Sequence, residues 1–453
     1  MKILIAGAGK IGCSIADILS HEGHEISMID QDPETITSVS NSLDVLCFEG
    51  NAANPQVLME AGAARADLVI AVSEKDEVNM ICAIVARKLG AGHAIARVRD
   101  PEYLSQRHFF AETLGLSLIV NPEYECAQEI SRILRFPGAV RVDTFSKGRM
   151  EIVEYRICPD DRLVGLQLKE LPALFGAKVL VSLVERGRDA IIPRGNFVLN
   201  KGDRLSLSGS AEQLKKFFSA LGHNFKRVRR TIIVGGGRIS VYLARQLHEA
   251  GISVTVIEQD RERCQSLCEL IPHAHIVCGD AGSSEVLLEE GIASADAFVS
   301  LTGNDGVNIV SSMYAKTQGN LKIVTKVNRA HYLDILDNFG LESVVTPRQL
   351  VTQQIVRYVR AMDNCLGSGV LSLYRLAEGK VEALEFKVDE NSRCVGMPIS
   401  ELKLKADIII CALIRESSCI IPDGSSVMEP GDHAVIICRA GRLSSLDEII
   451  EVK

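Results

Sequence analysis

The chain is written twice. Lys2 to Asp32 aligns without a gap to Arg230 to Asp260, an offset of 228 residues from Gly7 to Gly235, and the two stretches are identical at ten of 31 positions. The register then holds at 229, matching Gly50 to Gly279, Ala66-Asp67 to Ala295-Asp296, Asp76 and Asn79 to Asp305 and Asn308, and Arg97 to Lys326. Farther on, Ile192-Pro193-Arg194-Gly195 with Gly202-Asp203 answers Ile421-Pro422-Asp423-Gly424 with Gly431-Asp432. Self-similarity on this scale marks a duplicated architecture. Each half is itself bipartite, in the order A-B-A′-B′.

Length agrees with this division, since 453 residues at about 150 per domain suggest three or four cores. Turn-formers at Phe136-Pro137-Gly138 and Leu366 to Gly369, and the basic linker Lys226-Arg227-Val228-Arg229-Arg230, mark the junctions. The expected domains are 1–135, 136–225, 230–360 and 365–453.

In A, β-rich runs at Ile3 to Ala6, Ile26 to Ile29, Val45 to Phe48, Leu68 to Val72 and Ile95 to Val98 alternate with helical spacing. That alternation predicts an α/β fold, a Rossmann-like doubly wound parallel sheet, in both A and A′. Ala127, Ile130, Ile133 and Leu134 form one apolar helix face before Arg135, and Pro347 to Arg360 is the counterpart. B and B′ read as small α+β modules built on Glu151 to Ile157, Val179 to Val184 and Arg204 to Ser208, and on Val381 to Val388, Ile408 to Ile414 and Ala434 to Cys438.

Gly7-x-Gly9-x-x-Gly12 follows a strand and opens a helix, the context in which the motif carries meaning. Gly7 permits the turn, Gly9 lets backbone approach a pyrophosphate, and Gly12 lets the helix pack on its strand. Asp30 closes the next strand about 20 residues on, placed to accept from a ribose and to repel a 2′-phosphate. In A′ the loop reads Gly235-Gly236-Gly237, then Arg238-Ile239-Ser240, with Glu258 in the acidic position. Ser240 stands where the third glycine would, so looser helix packing and weaker or altered binding are expected there. Arg97 and Lys326 end matching strands; each is either a phosphate contact or a solvated cation. Ser73-Glu74 and Thr302-Gly303 either line the crevice or cap the next helix.

Composition narrows the function classes. A net charge of −8 opposes the basic face that non-specific nucleic-acid binding needs. The longest apolar run, Ile408 to Ile414, is far short of a membrane span of about 20 residues. The first residues, Met1 to Gly12, are broken by Lys10 and recur mid-chain, unlike a targeting signal. The thirteen cysteines are odd in number and never spaced C-x-x-C, which points to a reducing compartment. His273-x-His275 lacks a third metal ligand and reads as surface; Cys264-x-x-x-Cys268 reads as buried apolar cysteine. No nucleophile–base pair stands out, so binding without chemistry leads. An NAD-dependent oxidoreductase with its active site between A and B, and a scaffold that has lost its ligand, remain the rival readings.

The GAGKIG loop with Asp30, GNA at Gly50 to Ala52, Ala66-Asp67, DEVN at Asp76 to Asn79, RVRDP at Arg97 to Pro101 and the IIP-x-G and GD turns of B resemble the RCK family. Two complete copies are similar to its tandem branch, the Trk potassium-uptake regulators. The resemblance implies a cytoplasmic homotetrameric ring, peripheral on the inner face of the cell membrane, that gates a transport subunit of the TrkH type. It implies NAD(H) as ligand, some members taking ATP or ADP. Contacts would fall on Gly7, Ala8, Gly9, Lys10, Ile11, Asp30, Ser73, Glu74 and Arg97. In the second copy they would fall on Gly235, Gly236, Gly237, Arg238, Ile239, Glu258, Thr302, Gly303 and Lys326.

Overall fold

The computed structural model describes residues 1–451 except 136–139, 188, 222–227, 320, 330–335, 337–338, 342, 366–369, 378–379, 417, 440–442 and 444. The expected junctions at 136–138 and 366–369, and Lys226-Arg227 of the basic linker, lie outside the described residues.

The first sheet comprises β1 (Lys2–Ala6), β2 (Glu25–Asp30), β3 (Leu46–Glu49), β4 (Leu68–Ala71), β5 (His93–Arg97) and β6 (Leu118–Val120). They run parallel in the order β3-β2-β1-β4-β5-β6. A parallel sheet covered on both faces needs strands apolar throughout, and all four residues of β4 are fully buried. Alternate residues serve opposite faces. Ile3, Ile5, Leu68 and Ile70 meet Ile15 and Leu19 of the Lys10–His21 helix, whereas Leu4, Ala6, Val69 and Ala71 meet Leu58, Cys82 and Ala86. The five expected strands are present. The sixth is too short to show a period and exists as a strand because Ile95, Ala96 and Arg97 pair with it.

The next sheet is antiparallel. β7 (Arg141–Phe145), β8 (Met150–Arg156), β9 (Leu180–Arg186), β10 (Asp189–Ile191) and β11 (Arg204–Gly209) lie in the order β10-β9-β11-β8-β7. The second parallel sheet contains β12 (Arg230–Val234), β13 (Ser253–Glu258), β14 (His275–Cys278), β15 (Ala297–Ser300), β16 (Lys322–Lys326) and β17 (Val344–Val345), ordered β14-β13-β12-β15-β16-β17. The last sheet has β18 (Val370–Leu376), β19 (Val381–Lys387), β20 (Ile408–Arg415), β21 (Ser418–Ile420) and β22 (His433–Arg439), ordered β18-β19-β22-β20-β21. The outer strands β7, β10, β18 and β21 were not legible as strands, because pairing with a longer neighbour defines them.

The halves are not side by side but interlocked. After β6 the Pro122–Arg135 helix leaves its own lobe: Cys126, Ala127, Ile130, Ile133 and Leu134 pack with Ile239, Tyr242 and Leu243 on the second parallel sheet. Reciprocally, Val351, Ile355, Val356 and Val359 of the Pro347–Cys365 helix complete the core of the first lobe beside Ile15 and Leu19. The two antiparallel sheets also meet. Phe145, Met150, Ile152 and Leu183 of one share a core with Val381, Ala412, Val435 and Ile437 of the other.

Candidate functional site

Parallel register brings the singled-out residues to one edge. Ala6 lies opposite Ile29 and Ala71, and Ala71 opposite Ala96. One step farther, Gly7, Asp30, Val72-Ser73 and Arg97 emerge together at the carboxyl ends of β1, β2, β4 and β5. Strand order reverses at β1, and such a switch point opens a crevice. In the second lobe Val234 lies opposite Ile257 and Ser300, which sets Gly235, Glu258, Thr302 and Lys326 in the same arrangement.

Gly7 has φ +107° and donates its N–H to the Ile29 carbonyl at 2.8 Å. A Cβ there would lie 2.7 Å from the Ser73 nitrogen, so glycine is needed for both conformation and space. Ala8 is buried and donates its N–H to Asp30 Oδ2 at 2.7 Å. Gly9 is extended at the helix N-cap, and nothing lies within 4 Å of where a Cβ would stand, which leaves its surroundings open toward the crevice. Lys10 is exposed and Ile11 half-buried on the first helical turn. Gly12 is buried, and a Cβ on it would meet the Gly7 carbonyl at 1.9 Å.

The second loop reaches the same shape with different groups. Gly235 has φ +95°, and the Gly236 N–H donates to Glu258 Oε2 at 2.6 Å. Glycine replaces Ala8 because a Cβ at Gly236 would lie 2.4 Å from Leu267 Cδ1 and 3.1 Å from the longer Glu258. Gly237 is the open N-cap, Arg238 is exposed and Ile239 buried. The looser packing expected at Ser240 is not what the structure shows. Ser240 is fully buried, its hydroxyl donates to the Gly235 carbonyl, and Leu243, Ala244 and Leu247 beyond it are fully buried too. The hydroxyl takes up the contact that glycine avoids in the first lobe. Arg263 adds a bond from Nε to the Gly236 carbonyl at 2.8 Å, for which the described residues of the first lobe show no counterpart.

Ser73 and Thr302 do not cap the following helices, whose N-caps are Lys75 and Asn304. Each is held by a buried asparagine. Asn79 Oδ1 accepts from the Ser73 N–H and hydroxyl, both at 2.7 Å, and its Nδ2 donates to the Ser73 and Arg97 carbonyls at 3.0 and 2.9 Å. Asn308 repeats this with Thr302 and Lys326. These asparagines were not among the expected site residues, although their recurrence at the repeat offset was the signal that could have found them. Glu74 and Gly303 are exposed at the mouth.

Arg97 and Lys326 are not solvated cations: each is 9% exposed. Arg97 donates from Nη2 to the Ser73 carbonyl at 2.5 Å, while its Nε is buried without a partner. Lys326 donates from Nζ to the Leu301 carbonyl at 3.4 Å. Among the described residues neither forms an ion pair with a carboxylate, and burial pulls both below their ordinary pKa. Buried charge of this kind is costly unless it is compensated; Glu123, Asp76 and Glu74 act favourably on Arg97, and Asp305 and Glu123 on Lys326, without forming an ion pair with either.

Elsewhere, His273 and His275 are exposed; His273 stacks on His248 at 4.0 Å and His275 lies 3.6 Å from Glu290. Of the cysteine pair, Cys264 is buried but Cys268 is exposed, because the helix turns its second thiol outward. No helix among the described residues is long and apolar enough to cross a membrane.

The family model for the TrkA-N domain matches residues 3–122 and 231–347, and that for the TrkA-C domain matches 152–222 and 383–451. The chain is 32% identical to a Trk system potassium uptake protein TrkA homolog of Archaeoglobus fulgidus, across 99% of this chain and 100% of that protein. It is also 32% identical to the Trk system potassium uptake protein TrkA of Halomonas elongata, across 100% and 99%. A solved GsuK channel bound to NAD shares the fold at a TM-score of 0.64 and 18% identity, covering 96% of this chain and 76% of that one.

Proposed function

Since the chain belongs to the TrkA family, with tandem TrkA-N and TrkA-C domains along its length, we propose that it is the NAD(H)-binding regulatory subunit of a Trk-type potassium-uptake system. The observation that carries this reading is the crevice built twice. In each lobe a glycine loop, an acid on the next strand and a buried cation without a carboxylate partner among the described residues converge where strand order reverses. The pyrophosphate lies over Gly9 against the helix N-terminus, the ribose hydroxyls bind Asp30, and Arg97 meets phosphate charge. A carboxylate at Asp30 and Glu258 favours NAD(H) over a 2′-phosphorylated cofactor. The same geometry accommodates ATP or ADP.

The work is gating. The chain assembles as a homotetrameric ring on the cytoplasmic face of the membrane, beneath a transport subunit of the TrkH type, and a ligand shifts it between two conformations. A nearly complete switch needs about 10⁴-fold differential affinity, or about 5.5 kcal/mol, which several crevices per ring share. The interlocked helices support this role, because each lobe's crossover helix is part of the other lobe's core. Relatives along the whole chain are named for a potassium-uptake system, which leaves the oxidoreductase reading without support.

The test is NADH titration by fluorescence, followed by potassium uptake in cells that depend on this chain. Asp30→Ala is expected to weaken NADH binding, and Gly9→Val to abolish it at the first crevice by filling the pyrophosphate's approach. Absence of NADH, NAD, ATP and ADP binding at millimolar ligand would sink the sensing role.

A further inference from the structure

The two crossover helices meet their host lobes at equivalent places with unlike chemistry. Glu123 and Arg348 each follow the proline that begins a crossover helix, and Ser14 and Tyr242 occupy the same position on the two glycine-loop helices. At the second lobe Tyr242 itself is met by neutral groups, with the Glu123–Arg99 ion pair beside them. Tyr124 meets Tyr242 edge-on at 5.5 Å, and Asn121 Nδ2 donates to the Tyr242 hydroxyl at 3.3 Å. At the first lobe the contact is cationic, with Arg348 Nε donating to Ser14 Oγ at 2.9 Å and Nη2 adding a second bond to the same oxygen.

The charges differ in how they are answered. Glu123 is paired with Arg99 through Nε and Nη2 at 2.8 and 2.5 Å. Arg348 is half-buried and, among the described residues, forms no ion pair. Its anchor, Ser14 of the Lys10–His21 helix, stands one residue past Cys13, whose thiol donates to the Ala8 carbonyl of the first glycine loop at 3.0 Å. Burial raises that thiol, and the charges of Arg348 and Asp30 both reach it, Arg348 pulling it down and Asp30 pushing it up. A guanidinium resting on one neutral hydroxyl can exchange it for a phosphate, a stronger and bidentate partner.

We propose that Arg348, supplied by the second half of the chain, is a phosphate-directed binding residue of the first crevice, and that the second crevice, where Arg99 stands against Tyr242 but is tied to Glu123, has no counterpart free of a carboxylate at that place among the described residues. The proposal rests on the nucleotide reading above. It makes the two crevices unequal by charge, independently of Ser240. The first takes dinucleotide phosphate more tightly and with greater salt dependence. It also means that a ligand held there touches both halves of the chain at once.

The test uses the full chain with Gly237→Val to close the second crevice, and NADH as the probe at two ionic strengths. Arg348→Gln is expected to weaken binding roughly ten- to a hundredfold and to flatten its salt dependence, with Arg348→Lys restoring most of both. Ser14→Ala, which removes the anchor but keeps the charge, is expected to hold or tighten NADH. Unchanged affinity and salt dependence in Arg348→Gln overturns the proposal and leaves the nucleotide reading standing. So does a loss in Ser14→Ala equal to that in Arg348→Gln, since Arg348 would then act only as a staple for the helix. If NADH, NAD, ATP and ADP all fail to bind this background and the unmodified chain, both readings fall.

Discussion

The guanidinium of Arg357 lies over the ring of Tyr374, 4.5 Å from its centroid, and the Tyr374 hydroxyl donates to the Thr144 carbonyl of the other antiparallel sheet at 2.5 Å. Tyr374 also rests on Phe145, ring to ring at 4.1 Å. One side chain thus joins the helix that completes the first nucleotide lobe to the seam between the two antiparallel sheets.

Tyr374→Phe keeps the ring and removes the donor, so we expect a loss of about 1 kcal/mol of stability. Tyr374→Ala also empties the seam, for about 3 to 5 kcal/mol. Urea midpoints of both variants check the difference, and equal midpoints would show that the hydroxyl, not the ring, holds the seam.

Asn79→Ala removes the partner of the Ser73 N–H and hydroxyl and takes one bond from each of the Ser73 and Arg97 carbonyls, the Ser73 carbonyl keeping only Arg97 Nη2. The expected cost is about 3 kcal/mol, together with weaker NADH binding, because the Ser73 turn and the Arg97 strand end lose their common anchor. Asn308→Ala should behave alike in the second lobe. Thermal denaturation with and without NADH reads both effects.

The third loop position should respond differently in the two lobes. Gly12→Ala drives a Cβ against the Gly7 carbonyl at 1.9 Å and is expected to cost about 3 kcal/mol. Ser240→Ala loses only the hydroxyl's bond to the Gly235 carbonyl, about 1 kcal/mol. Comparing the two by calorimetry tests whether the loops are equivalent in shape but not in tolerance.

Glu154 is held up to about 7, first by burial and then by nearby Glu185, with Arg204 and Arg141 working the other way. Glu129 is raised to about 6, again first by burial. A carboxyl whose folded pKa exceeds its unfolded value binds more protons folded than unfolded. Its contribution to stability is therefore fully present below about 4.5 and is lost as pH rises through about 7. Glu154→Gln should flatten the stability–pH curve between about pH 5 and 8 and stabilise the protein at the upper end. Urea midpoints across that range provide the check, and an unchanged slope would mean that other groups set it.

Local chemistry made much of this molecule legible. Gly7 and Gly235 announced their turns because only glycine accepts that conformation so close to the backbone just past β4 and β15. The acids at Asp30 and Glu258 were readable because a carboxylate at a strand end beside a glycine loop has few other uses. Asn79 and Asn308 were visible only as recurrences, since their role appears when two strand ends are brought within reach of one amide.

By itself the sequence determined that two copies of a two-part unit exist, where their parallel strands lie, and which loops present glycine and acid. These are properties of short windows, set by periodicity and backbone sterics. Only the tertiary structure decided that each crossover helix serves the opposite lobe, that Arg97 and Lys326 are buried, and that Arg348 bonds Ser14 on the first glycine-loop helix. The apolar face of Ala127, Ile130, Ile133 and Leu134 was plain in the sequence, but an apolar face specifies only that it must be covered. Hydrophobic burial has no direction, so the choice between a helix's own lobe and its duplicate rests on shape and on the single polar contacts that fix the register.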